Sequence, residues 1–136
     1  MRLWHYELIP LLPKKMLVSQ WRECIAIKRQ WEKGTLKHRL VSYVMNYDKV
    51  FFIRYVLRVV DEMDKRKIKY NKMLFHELFN FCWKGEYIND LLNYKEHNDR
   101  YLKQCFYNLQ EKADRGIITK DEWKKIENKF KEWENE

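Results

Sequence analysis

Apolar residues recur at three- and four-residue intervals over several long stretches of this chain, a spacing that belongs to helices. Leu17, Trp21, Cys24, Ile25 and Lys28 share one face of a first helix. Pro13 suits its first position and Gly34 its stop, so the helix is expected from about Pro13 to Lys33. Glu23 falls on a neighbouring face with Ser19, Gln20, Ala26 and Ile27. A connector carrying Thr35, Lys37, His38 and Arg39 follows. The second helix is expected from about Asn46 or Asp48 to Lys67, with Val50, Ile53, Leu57, Val60 and Met63 as its buried stripe. Arg54, Arg58, Asp61 and Lys65 are expected to stay wet.

Residues 72–84 are apolar and aromatic-rich, and the pattern fits either a helix or a packed irregular segment. A further helix is expected from about Asn98 to Asp114, with Tyr101, Leu102, Cys105, Phe106 and Leu109 inward and Gly116 beyond its end. The last opens at Thr119-Lys120-Asp121-Glu122, a capping box in which Thr and Glu satisfy each other's free amides. Its apolar face is Trp123, Ile126, Phe130 and Trp133, and such aromatic stripes point to core rather than to a binding platform.

Composition strengthens the helical reading. The chain has 3 Gly and 2 Pro in 136 residues and is 46% hydrophobic and 16% aromatic. Scarce turn residues argue against a β-sandwich, and the apolar content suffices for a packed core. The expectation is an all-α fold forming one compact domain over residues 1–136, with no repeat and no linker.

Charge changes the picture more. Residues 1–70 hold 16 Lys and Arg against 7 Asp and Glu, whereas residues 71–136 hold 12 against 13. All of the net +8 therefore comes from the first half. Between Lys14 and Arg39 stand Lys14, Lys15, Arg22, Lys28, Arg29, Lys33, Lys37 and Arg39, against only Glu23 and Glu32. A field of this sign attracts nucleic acid or an anionic membrane surface. Cys24, Cys82 and Cys105 are odd in number and form no C-x-x-C pair, which fits free thiols in a reducing cytosol. The opening residues have only short apolar stretches interrupted by charge, so neither a signal peptide nor a membrane span is expected. The cysteines and His5, His38, His76 and His97 show no metal-ligand spacing, and no metal or cofactor is expected.

Two stretches carry a resemblance. The first is Leu8, Leu12 and then Leu17-Val18-Ser19-Gln20-Trp21-Arg22-Glu23. The second is Tyr47-Asp48-Lys49-Val50-Phe51-Phe52-Ile53-Arg54 with Glu62-Met63-Asp64-Lys65-Arg66. Together they resemble the pyrimidine-dimer DNA glycosylase/AP lyase family, the phage endonuclease V type with its bacterial branch. Asn108-Leu109-Gln110-Glu111-Lys112 is a weaker echo, and the opening Met1-Arg2-Leu3-Trp4-His5 is similar to the bacterial branch.

The resemblance implies a DNA-repair enzyme in which a backbone α-amine is the nucleophile. Such an amine has a pKa of about 7.7–8.0, so roughly a tenth is uncharged at neutral pH. The implied catalytic group is the Met1 amine with Glu23 beside it and Arg22 on phosphate. Arg2, Lys14, Lys15, Lys28, Arg29, Lys37, His38 and Arg39 are the implied DNA contacts. The implied partner is double-stranded DNA with a damaged or modified base, bound by a monomer without a membrane or cofactor. The implied location is a bacterial cytoplasm, associated with the nucleoid, or a phage-infected cell. Trp21 suits a core position better than a base-stacking one.

Three departures from the family pattern stand out. Arg2 replaces the usual Thr, and a bulky second residue prevents removal of the initiator, leaving the free amine on Met1. Ala26 stands where the family has a further active-site Arg, with Lys28 and Arg29 as candidate substitutes from another turn, neither in the same place. The family's aromatic C-terminal segment is replaced by an amphipathic helix. A DNA-binding protein of the same fold without the lyase chemistry is the main alternative. An RNA- or membrane-surface-binding helical protein is a third reading.

Overall fold

The computed structural model describes residues 1–136 as five α-helices and two 3-10 helices, with no strand. The α-helices are α1 (Lys14–Lys33), α2 (Lys49–Lys65), α3 (Lys72–Cys82), α4 (Asp99–Asp114) and α5 (Lys120–Glu134). The 3-10 helices, Tyr6–Leu11 and Ser42–Asn46, precede α1 and α2. The fold is all-α, as the spacing of apolar residues predicts.

Local chemistry sets the ends. Pro13 is the N-cap of α1, and Gly34 closes it with a left-handed φ of 73°, a conformation that costs a Cβ-bearing residue more than glycine. Asp48, Asn71 and Asn98 cap α2, α3 and α4 by accepting backbone N–H bonds. Thr119 and Glu122 form the full capping box of α5. Residues 72–82 resolve as helix, held mainly by Leu78 and Cys82 in the core.

The central element is α2. Val50, Phe52, Ile53, Tyr55, Val56, Val59, Val60 and Met63 are all buried, far more than one stripe. The cause is that α1, α3 and both 3-10 helices pack around it. Leu57, placed on the expected stripe, is only half-buried. Arg54 and Arg58 are not wet as expected. Both are half-buried, with Arg54 ion-paired to Asp90 at 3.2 Å and Arg58 donating to Asp90 O and Asn93 Oδ1. The segment between α3 and α4 folds over these cations, and periodicity within α2 carries no trace of it.

Arg66, at the end of α2, donates to the carbonyls of Leu12 (2.7 Å) and Pro10 (2.9 Å) and pairs with Glu62 at 2.8 Å. It thereby ties the entrance of α1 to α2. The second half of the chain packs by aromatic contact, with Phe106 of α4 stacked on Phe130 of α5 at 3.9 Å. One core of 31 buried residues runs through all five helices. No helix is long and apolar enough to cross a membrane.

Candidate active site at the N-terminus

The first residues do not trail into solvent. Leu3, Trp4 and His5 are buried, and their backbone is laced onto three helices. The fastening on α1 is Gln20, a fully buried residue. Its Oε1 accepts from Trp4 N–H (2.8 Å), and its Nε2 donates to Arg2 O (3.0 Å) and to Glu23 Oε2 (3.0 Å). From α2, the Tyr55 hydroxyl reaches Trp4 O (2.6 Å) and Gln20 Oε1 (2.9 Å). From α4, Tyr101 donates to Leu3 O at 2.6 Å.

This lacing brings the start of the chain to Glu23. The Glu23 carboxyl is half-buried, and desolvation raises its pKa. Opposing that rise are the positive charge of the Met1 amine, a hydrogen bond from the Arg2 backbone, the Gln20 side chain and the charge of His38. Met1 itself is 37% exposed, and no ion pair closes the gap between its amine and Glu23. A carboxylate with a raised pKa beside an accessible amine is chemically suited to carry protons to and from that amine.

His38 joins the cluster because Gly34 turns the chain back along α1. It is exposed, with its Nδ1 accepting from Leu40 N–H at 3.3 Å. Lys37 and Arg39 flank it, also exposed. Arg22 is exposed on α1 next to Glu23 and forms no ion pair. Lys15, Arg22 and Arg29 are spaced by seven residues, about two turns, so they form one cationic stripe beside Glu23. All three are exposed, and Lys33 extends the row.

Other expected contacts lie elsewhere. Lys14 is nine residues from Glu23, about 13 Å along the helix and on its opposite side. It lines a separate recess of about 300 Å³ with Arg66 and Lys125. Lys28 is engaged rather than free: its side chain is only 11% exposed, paired with Glu32 at 3.0 Å and set 5.8 Å from the centre of the Phe81 ring. Packing of α3 on α1 accounts for that, and Lys28 does not occupy the space beside Ala26 on the other side of Glu23. The Arg2 guanidinium lies over the Trp4 ring at 5.5 Å. Trp21 is buried against Tyr70 and Phe75, a core residue.

Sequence reasoning missed Gln20 as the organising residue. Gln20 falls on a mixed face with Ser19 and Glu23, so no local signal marked it, and its partners lie 16 and 35 positions away in sequence. It also missed a buried pair below the N-terminal segment. His5 and His97 stack at 5.6 Å, with the Tyr43 hydroxyl 2.6 Å from His97 Nε2. Burial lowers their pKa values to about 4 and about 3. No group of three or more His, Cys, Asp or Glu is placed to hold a metal ion. The three cysteines are free and buried, and burial pushes the Cys82 thiol up to about 12.

Fold and charge together define a basic, all-helical protein whose net positive charge lies in its first half. Residues 1–76 match the family model described as pyrimidine dimer DNA glycosylase. The match spans more than half of the chain, and the chain belongs to that family of DNA-repair glycosylases, whose substrate is DNA. Comparison with curated proteins gives no match, and comparison with solved structures gives none.

Proposed function

We propose that this chain is a DNA glycosylase with AP lyase activity, acting on duplex DNA through the Met1 α-amine. The observation that carries this reading is the convergence of the chain start on Glu23, where the charge of the terminal amine bears on a half-buried carboxylate. The single helical domain, monomeric state and residue roles below belong to the same proposal.

The chemistry follows from the groups present. The neutral amine attacks C1′ of the damaged nucleotide as the glycosidic bond breaks, and the base departs with a proton. The amine gives up its protons and O4′ is released as a hydroxyl, leaving a Schiff base. Removal of a C2′ proton then expels the 3′ phosphate by β-elimination, and water frees the amine. Glu23 stabilises cationic character at C1′ and ferries the protons. Its half-buried setting strengthens that electrostatic effect over what water permits.

Arg22, as a planar bidentate donor, holds a phosphate beside the lesion. Lys15 and Arg29 continue the backbone contact along α1, and Lys37, His38 and Arg39 approach from the returning segment. The damaged nucleotide is turned out of the stack to reach C1′, at lower cost where stacking is already weakened.

The test is strand cleavage of duplex DNA bearing an abasic site or a thymine dimer, by the native chain and by the same chain with an acetylated or extended N-terminus. Cleavage by the native chain that is lost on blocking supports the proposal. Salt-sensitive binding with no cleavage by either form rejects it in favour of a DNA-binding protein without lyase chemistry.

A further inference from the structure

Gln20 uses every hydrogen-bonding site it has. Its two Nε2 hydrogens go to Arg2 O and Glu23 Oε2, and its Oε1 lone pairs take Trp4 N–H and the Tyr55 hydroxyl. The residue is fully buried, so none of these bonds is replaced by water when lost. We propose that Gln20 is a positioning residue: its carboxamide clamps the Arg2–Trp4 backbone and the Glu23 carboxylate together, and so sets the terminal amine against Glu23. This rests on the reading of Met1 and Glu23 given above.

The geometry leaves little substitute for the amide. Only a side chain with two donors and two acceptors bonds a carbonyl, a carboxylate, an N–H and a hydroxyl at once, and Asn is one methylene shorter. A glutamate at this position keeps the acceptors but loses both donors, placing a second carboxylate against Glu23. Tyr55 backs the clamp from α2, sharing its hydrogen between Trp4 O and Gln20 Oε1. Tyr101 fixes Leu3 O from the other side. The chain start is therefore held at consecutive residues, and Gln20 is the side chain that joins that strap to Glu23, alongside the hydrogen bond from the Arg2 backbone.

Gln20→Met keeps the volume and removes all four bonds. Three readouts separate positioning from core filling: single-turnover borohydride trapping on abasic duplex, the titration midpoint of the ¹³C-labelled Glu23 carboxyl, and thermal melting. The expected result is a trapping rate lowered by about a hundredfold at temperatures where the variant is folded. Affinity for undamaged duplex stays at the native level. The Glu23 midpoint rises, because the Gln20 donor and the nearby amine both favour the ionised form. A lowered melting temperature with native trapping rate and native Glu23 midpoint overturns the proposal. If Gln20→Met does not fold, Gln20→Glu, which retains the shape and the acceptors, is read by its trapping rate, since its added carboxylate raises the Glu23 midpoint by itself; a native trapping rate in that variant overturns the proposal. If the native chain forms no adduct, the reading of Met1 fails, and the Glu23 midpoint still decides whether Gln20 holds the carboxylate.

Discussion

Two regions of this molecule are built from the same kind of element and put to different use. The first 70 residues hold a large basic excess, 16 cations against 7 anions, and contain α1, α2 and the chain start. Residues 71–136 are balanced, with 12 against 13, and their last two helices meet through Phe106, Trp123 and Phe130. Polar contacts in the first region cross long stretches of sequence and end on backbone atoms near Glu23. Ion pairs of the last two helices are local, such as Glu111–Arg115 and Glu127–Lys131, one turn apart and exposed. Exposed pairs of that kind contribute little, and packing holds this region. The family match ends at residue 76, close to the same divide. The proposed chemistry lies in the first region, and the second packs against it, with Tyr101 bonded to the N-terminal segment.

This contrast breaks most sharply at Glu23. Replacement by Gln keeps the shape and the Gln20 contact but removes the charge. The single-turnover rate on abasic duplex is expected to fall by about 10²–10⁴-fold, the range for a general acid–base group. Melting should shift little. An unchanged rate would detach Glu23 from the chemistry and erase the distinction between the regions.

The second region should answer in stability alone. Phe106→Ala removes a buried ring stacked at 3.9 Å on Phe130, and a loss of about 3–5 kcal/mol is expected by denaturant unfolding. The rate of adduct formation by the folded fraction should stay at the native value. A large loss of rate in that fraction would make the second region part of the site.

Acid links the regions through His5 and His97. Their folded pKa values, about 4 and about 3, lie below the ordinary 6.5, so the unfolded chain binds more protons between roughly pH 6.5 and 3. Stability contributed by keeping both rings neutral is complete above pH 6.5 and is lost as pH falls toward 3. The loss should be on the order of a few kcal/mol. Protonating His5 also removes the acceptor for Glu7 N–H at the start of the first 3-10 helix. Replacing His97 with Gln should flatten this part of the stability profile, and a profile unchanged in the variant would refute the assignment.

The smallest effect concerns the cationic stripe. Arg22→Ala should weaken binding to duplex evenly across sequences and reduce the slope of log affinity against log salt by about one. Lys14→Ala, on the side of α1 opposite Glu23, should leave that slope nearly unchanged. Equal effects from both would mean that DNA does not follow the Lys15–Arg22–Arg29 row.

Legibility in the sequence follows the range of the interactions. The borders of α1 and α5 were readable because Pro13, Gly34 and the Thr119–Glu122 box act within a few residues. The 3-10 helix over Tyr6–Leu11 was not, being six residues long with Pro10 inside it. Residues 72–82 were ambiguous because Leu74, Phe75, Phe79 and Phe81 are half-buried around the helix and blur its face. Arg22 and Glu23 are singled out by the family pattern, and the seven-residue spacing of Lys15 and Arg29 about Arg22 is present in the sequence to be read. The burial of Gln20, His5 and His97 was hidden, since each is justified by partners on other elements. The contact of Lys28 with Phe81 was hidden for the same reason, because it forms only when α3 packs on α1, whereas its pair with Glu32 lies one turn along α1 itself.

The most direct measurement is to trap the native chain on abasic duplex with borohydride, digest the adduct and locate the modified residue by mass spectrometry. The expected result is one modified nitrogen, the α-amine of Met1, with the adduct lost when that amine is blocked. An adduct on a lysine ε-amine such as Lys15 or Lys37, or no adduct from a chain that still binds the duplex, would contradict it.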